Sequence, residues 1–260
     1  MSTSGPVIRV LGIDTATRAG SVAVVGAHGD APPERLAEVA HEEELRHAET
    51  LLPAIDRCLE RAGVGLEVIS GFAVSIGPGS FTGLRVGLAT AKGLALATGA
   101  WVVGVPTLEA YALAAAGRPG PVCVCLDARK GEVYSALFEA EAGPARIRRL
   151  LDDAVEKPEQ AARRMVDAMR DRPGGATLRV VGDGGVRYPD EIPGALRRHL
   201  AVEELPQTPT ARGFAVAEIG LALFRADGPA DTAYLAPAYL RASEAEIKRA
   251  ERRSGRPEAH

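Results

Sequence analysis

A two-lobed α/β fold built from duplicated βββαβα units is what the sequence predicts, and three observations point to it. Apolar runs of strand length alternate with stretches of helical spacing along the 260 residues. The first half reads as three strands, helix, strand, helix, strand, and the second half repeats that order. In each half an acidic residue closes the first strand, Asp14 and then Asp127, and a glycine-rich turn follows a later strand.

The elements follow in chain order. Residues 7–13 form a nearly continuous apolar run ending at Asp14, which predicts a strand covered on both faces. Residues 21–25 predict a second strand and residues 35–39 a third, nearer an edge; the short links make the three antiparallel neighbours. Residues 47–62 shift to helical spacing, with Leu51, Ile55, Cys58, Leu59 and Ala62 on one side. Gly63 is a plausible terminator, and Pro53 belongs in the first turn or else kinks the helix. Residues 72–76 predict a strand, 77–83 a glycine-rich loop, 84–98 a helix, 101–105 a strand and 107–116 a helix.

The second half is more polar. Residues 122–126 and 132–138 predict strands, and 146–151 a poorly defined third. A helix over 156–169, a strand over 178–181 and the turn Gly182-Asp183-Gly184-Gly185 come next, and a last helix spans 211–224. Residues 242–260 carry almost nothing to bury and predict a disordered tail. The expected division places residues 6–106 plus 210–225 in a first lobe and 107–208 in a second.

Composition sets limits on function. A net charge of -3 gives no global basic field of the kind a stand-alone nucleic-acid binder carries. Three cysteines, Cys58, Cys123 and Cys125, are not a disulfide framework; free thiols in a reducing cytoplasm are expected. Cys123 and Cys125 fall on one face of a strand, as small core residues, with no further ligand at metal-binding spacing. Residues 1–6 carry no secretory pattern. The longest apolar-rich segment, 84–105, is interrupted by Arg85, Lys92 and several glycines, so no membrane span is expected.

The most specific stretch runs Ser75-Ile76-Gly77-Pro78-Gly79-Ser80-Phe81-Thr82-Gly83-Leu84-Arg85-Val86-Gly87. A strand ends, glycines allow a tight turn, and Ser80 or Thr82 can cap the helix that follows. Amides at that helix start could hold an anion, or the turn could bind nothing. Duplicated βββαβα units are the layout of the actin, sugar-kinase and heat-shock-chaperone superfamily, whose RNase H-like lobes hold a nucleotide between them.

This run resembles the TsaB (YeaZ-type) family, relatives of the TsaD catalytic subunit of tRNA threonylcarbamoyladenosine biosynthesis. Leu11-Gly12-Ile13-Asp14-Thr15-Ala16-Thr17, His47-Ala48-Glu49-Thr50-Leu51-Leu52-Pro53, Val105-Pro106-Thr107-Leu108-Glu109-Ala110, Leu126-Asp127-Ala128-Arg129 and Ala238-Tyr239-Leu240-Arg241 match it in the same order. The resemblance implies an actin-like fold and a non-catalytic subunit that pairs with TsaD and, through it, TsaE. It also implies that ATP and a metal are used at the partner subunits, that tRNA is touched only indirectly or weakly, and that the chain dimerises when alone. Threonylcarbamoyl transfer goes to the adenosine next to the anticodon in tRNAs reading ANN codons.

Catalysis by this chain is not expected. The related catalytic subunit carries an H-x-x-x-H pair on its first helix; here that helix offers only His47, with Glu43 one turn earlier. The turn after Asp14 reads Thr15-Ala16-Thr17-Arg18 and lacks the glycine that lets backbone approach phosphate. Asp14, Asp127 and the loop residues Gly77, Pro78, Gly79, Ser80 and Thr82 are therefore read as a vestigial nucleotide site. The alternatives are an active ATP-dependent phosphotransferase or a metallopeptidase.

Between Thr82 and Thr98 only Arg85 and Lys92 are charged. A helix so apolar needs a cover. Leu51, Leu52 and Ile55 on the first helix, with Gly83, Leu84, Gly87, Leu88 and Ala91 on the second, are the expected partner-docking face. The competing expectation is that the late helix covers it.

Overall fold

Strand β1, Val7–Asp14, is the hub of the first sheet. It pairs antiparallel with β2, Ala19–His28, which pairs with the edge strand β3, Glu34–Glu42. On its other side β1 pairs parallel with β4, Gly71–Gly77, and β4 with β5, Trp101–Pro106, giving the order β3-β2-β1-β4-β5. The computed structural model describes residues 7–42, 47–142, 147–170, 172, 176–206, 211–228 and 234–240, without the side chains of residues 41, 42, 47 and 48. The predicted tail at 242–260, Glu43 and the His47 side chain lie outside the described residues.

The second sheet repeats the plan. Strand β6, Gly120–Arg129, pairs antiparallel with β7, Glu132–Ala140, and β7 with β8, Ile147–Glu156; β6 pairs parallel with β9, Leu178–Val181, and β9 with β10, Val202–Glu204. Its order, β10-β9-β6-β7-β8, is the first sheet's order read from the other edge. The weakly predicted third strand is thus a ten-residue strand, and it takes in Glu156, which the sequence had assigned to the following helix.

Helices cover both faces. On one face of the first sheet lie α1, His47–Ala62, and α2, Phe81–Thr98, over Leu11, Ile13, Val22, Val24 and Phe72. Helix α1 ends at Gly63, whose φ is +68°, with Val64 N–H donating to Leu59 O and Gly63 N–H to Glu60 O. Pro53 sits inside α1, beyond its first turn. In the second half α4, Pro158–Met169, covers Cys123, Cys125, Leu137 and Leu178. Short helical segments Asp183–Arg187 (α5) and Ala195–Arg197 (α6), which the sequence pattern did not announce, lie before β10.

The two helices that follow the last strand of each half interlock the lobes. Helix α3, Thr107–Ala114, packs on β4 and β5 of the first sheet and on β6, β7 and β8 of the second. Helix α7, Arg212–Asp227, crosses back to the first sheet and lies over Val10, Val25, Ala73 and Val105. Phe224 stacks on Trp101 at 4.2 Å between ring centroids. Successive strand residues face opposite ways, so Val10 looks at α7 while Leu11 looks at α1 and α2. The late helix therefore lies on the opposite face from α1 and α2 and does not cover them.

Cys58, Cys123 and Cys125 are free and fully buried. Burial pushes the Cys58 thiol up to about 11, and the Cys123 hydrogen bond, with burial, raises Cys125. Thiol titration should find almost no fast-reacting group in the native protein and three after denaturation; an early-reacting thiol would contradict the packing. Among the described residues no helix is long and apolar enough to cross a membrane.

Candidate functional site

The two predicted acidic residues stand at or near the ends of β1 and β6, the corresponding strands of the two sheets. Asp14 is 1% exposed. Its Oδ1 accepts from Ala16 N–H at 3.1 Å, and its Oδ2 lies 3.2 Å from Arg212 Nε. Arg212 opens α7 and is 7% exposed. Its guanidinium donates to the hydroxyls of Tyr111 and Thr17 and to Ala19 O, and sits 4.9 Å above the Tyr111 ring. Burial opposes the charge, but Tyr111, Asp14, Asp183 and Glu38 outweigh it and hold the Arg212 pKa above its ordinary value. Burial raises the Tyr111 phenol in turn.

A cation in the first turn of a helix works against the helix dipole. Arg212 is tolerated there because Asp14 faces it and because Glu38 on β3 supplies the compensating anion. The Glu38 carboxylate accepts from Ala211 N–H at 2.6 Å and Gly213 N–H at 3.0 Å, capping a helix with no side-chain cap of its own. Burial raises the Glu38 pKa, and those amide bonds oppose the rise.

In the second lobe Asp127 accepts from Arg129 N–H at 2.9 Å, and Asp127 N–H donates to Asp183 Oδ1 at 2.9 Å. The guanidinium groups of Arg129 and Arg187 lie 3.7 and 3.8 Å from Asp127 Oδ2, both largely exposed. Burial raises Asp183, while the Asp127 amide, Arg129 and Arg212 pull it back. Both predicted acidic residues are thus faced by the chain's own arginines. Sequence reasoning missed Arg212, Tyr111, Glu38 and Asp183.

The glycine-rich loop is filled from within. A Cβ at Gly77 would lie 2.3 Å from Ala238 O, at Gly79 2.5 Å from Ala16 O, at Gly83 2.0 Å from Thr15 O and at Gly87 2.3 Å from Thr15 Oγ1. Each glycine makes room for the chain's own backbone or a buried hydroxyl. Three of its amides are committed as well: Gly77 N–H donates to Thr107 Oγ1, Ser80 N–H to Ala16 O and Gly83 N–H to Ser80 Oγ. Ser80, not the exposed Thr82, caps α2, and Pro78 is buried beside it. The second turn behaves alike, with Gly182 pressed on Cys125 O. Among the described residues no group of three or more potential ligands stands in a metal-binding arrangement.

The predicted docking residues need correction. Leu51, Ile55, Leu84, Leu88 and Ala91 are buried in the lobe-one core, and Gly83 and Gly87 press inward on Thr15. Gly83 and Gly87 make room for the turn after β1, where close approach is needed, rather than for a partner. Of the residues expected on the docking face, Leu52 is exposed, at 50%. The outer surface of α2 is instead Phe81, Arg85, Ala89, Gly93 and Leu96, the last 88% exposed.

Known proteins agree with this architecture. Residues 36–178 match the model of the family described as TsaD: tRNA N6-adenosine threonylcarbamoyltransferase. The tRNA threonylcarbamoyladenosine biosynthesis protein TsaB of Escherichia coli is 38% identical over 141 residues, 52% of this chain and 56% of that protein. The Haemophilus influenzae protein of the same name is 34% identical over 165 residues, 59% of this chain and 66% of its own length. The match thus spans somewhat over half to two thirds of these relatives. The solved structure of YeaZ from Pseudomonas aeruginosa superposes with a TM-score of 0.68 at 27% identity, covering 90% of this chain and all of that one. With the duplicated sheets, the motif matches and the family model in agreement, the chain belongs to the TsaD-related family of tRNA threonylcarbamoyladenosine biosynthesis proteins, on its TsaB (YeaZ-type) branch.

Proposed function

We propose that this chain is a non-catalytic partner subunit that binds TsaD, and through it TsaE, in threonylcarbamoyl transfer to the adenosine beside the anticodon of tRNAs reading ANN codons. The observation that supports the non-catalytic reading is that the surroundings of Asp14 are filled from within. Arg212 occupies the space before Asp14, and the glycines that would let phosphate approach are seated on the chain's own backbone. The chain then binds neither ATP nor metal by itself, and both act at the partner subunits in the cytoplasm. Contact with tRNA is indirect or weak.

The partner-binding part of the reading is supported by the outer face of α1 and α2. These helices pack side by side on the first sheet, and α7 lies on its far side. Leu52 and Pro53 of α1 and Ala89, Gly93 and Leu96 of α2 are exposed apolar or small residues on this pair of helices. Exposed apolar side chains of this kind can dock a partner. The same face can join two copies when the partner is absent.

Expression in a strain lacking its own TsaB should restore threonylcarbamoyladenosine, measured by nucleoside mass spectrometry. Leu52→Asp should fold normally yet weaken co-elution with cognate TsaD by about thirtyfold, the loss expected for an anchor side chain. It should lower the modified nucleoside in parallel. Wild-type affinity in a folded Leu52→Asp variant would put the interface elsewhere, and ATP hydrolysis by the isolated chain that Asp14→Ala abolishes would overturn the non-catalytic reading.

A further inference from the structure

We infer that Arg212 is a built-in counter-ion to Asp14 that ties α3 to the first lobe and so fixes the spacing of the two lobes. The contacts of its guanidinium are distributed for that task. It meets Asp14 at the end of β1, Thr17 in the turn and Ala19 O at the start of β2, all in the first lobe. It also donates to Tyr111 and lies 4.9 Å from the centre of its ring. Tyr111 is carried by α3, which is wedged between the sheets and tied to both lobes. Thr107 at its start accepts from Gly77 N–H in the first lobe, and Glu109 faces Arg149 of β8 in the second at 3.7 Å. Asp183 of the second lobe acts electrostatically on the same guanidinium.

A planar fork suits this site, where a point charge does not. Its two Nη groups donate to two hydroxyls and a carbonyl while Nε lies 3.2 Å from Asp14 Oδ2, and an ammonium could reach only part of that set. Without the guanidinium, Asp14 is left buried beside Tyr111 with no opposing charge, a state that favours water entry and separation of α3 from β1.

The inference needs only the isolated chain, so it stands or falls apart from partner binding. The interlobe distance is read by pulsed spin-label spectroscopy on a Glu60→Cys, Asp167→Cys background. Both positions are exposed, one in each lobe, and the native cysteines are buried. Arg212→Ala should broaden and lengthen the distance distribution and lower the melting temperature by about 10 °C. Low millimolar guanidinium should restore both, while sodium and tetramethylammonium should not. Arg212→Lys should fold and give an intermediate distribution, and it is the deciding variant if Arg212→Ala does not fold. A wild-type distance distribution in either folded variant, or a loss in Arg212→Ala that tetramethylammonium repairs as well as guanidinium, would overturn the proposal.

Discussion

Leu88→Asp is expected to leave no cooperative unfolding transition, whereas Leu52→Asp should unfold within about 0.5 kcal/mol of the unsubstituted protein. The two leucines are both on helices of the same sheet face, and the sequence offers no reason to treat them differently. Leu88 belongs to the core cluster with Val74, Ala91 and Phe72, and Leu52 is half exposed. A carboxylate at position 88 would stand among apolar side chains, with the nearest cations of the helix, Arg85 and Lys92, a turn away on either side. Burying it costs several kcal/mol even after a pKa rise, on top of about 2–5 kcal/mol for the lost leucine. A typical domain has only about 5–15 kcal/mol to lose. Far-ultraviolet circular dichroism during a urea titration reads the result directly. A sigmoidal transition for Leu88→Asp at the midpoint of the native protein would mean that the inward face of α2 has been misassigned.

The same pair marks how far the sequence could be read. The duplicated strand and helix order was legible because each buried strand is an apolar run bounded by turn residues; both strands and both helices predicted between residues 72 and 116 are present, although α2 begins at Phe81, inside the predicted loop 77–83, and α3 ends at Ala114. Strand β8 was weak because it is an edge strand with Arg148, Arg149, Asp152 and Asp153 along it; its partial exposure erases the alternation. The low charge of α2 was correctly seen as unusual, but composition cannot say which side of a nearly uncharged helix faces the sheet. Leu88 and Ala91 face inward because Gly83 and Gly87 must sit against Thr15.

The site was legible in its acidic residues and not in what neutralises them. Arg212 and Asp14 are separated by most of the chain, and no local pattern connects them. The one available signal was a cation at the start of a helix, against the dipole. Glycines posed a related difficulty. A glycine that admits a phosphate and one that admits a neighbouring carbonyl read identically, and in this loop the neighbour is the chain itself.

That ambiguity yields the sharpest test of how α7 is seated. Gly12 lies in the middle of β1, paired with Ala23 on one side and Ala73 on the other. Strand propensity alone favours replacing it with valine by roughly 0.5–1 kcal/mol. The packing says the reverse. A Cβ at position 12 would lie 2.3 Å from Gly213 O and 2.6 Å from Ala217 N, and both are backbone atoms of α7 that cannot rotate aside. The helix must lift as a body, which loosens Ala215, Val216 and Ile219 from the sheet and draws Arg212 away from Asp14. Gly12→Val should therefore lose about 3 kcal/mol or more, a fall in melting temperature of roughly 6–12 °C for a chain of this size. Gly26→Ala on β2 is the control, since the nearest atom to its added methyl is the movable Leu36 Cδ1 at 3.4 Å, and its stability should change by less than about 1 kcal/mol. Calorimetry on the two variants separates the accounts by sign. A Gly12→Val protein melting at or above the native temperature would mean that α7 does not rest on β1 at this point.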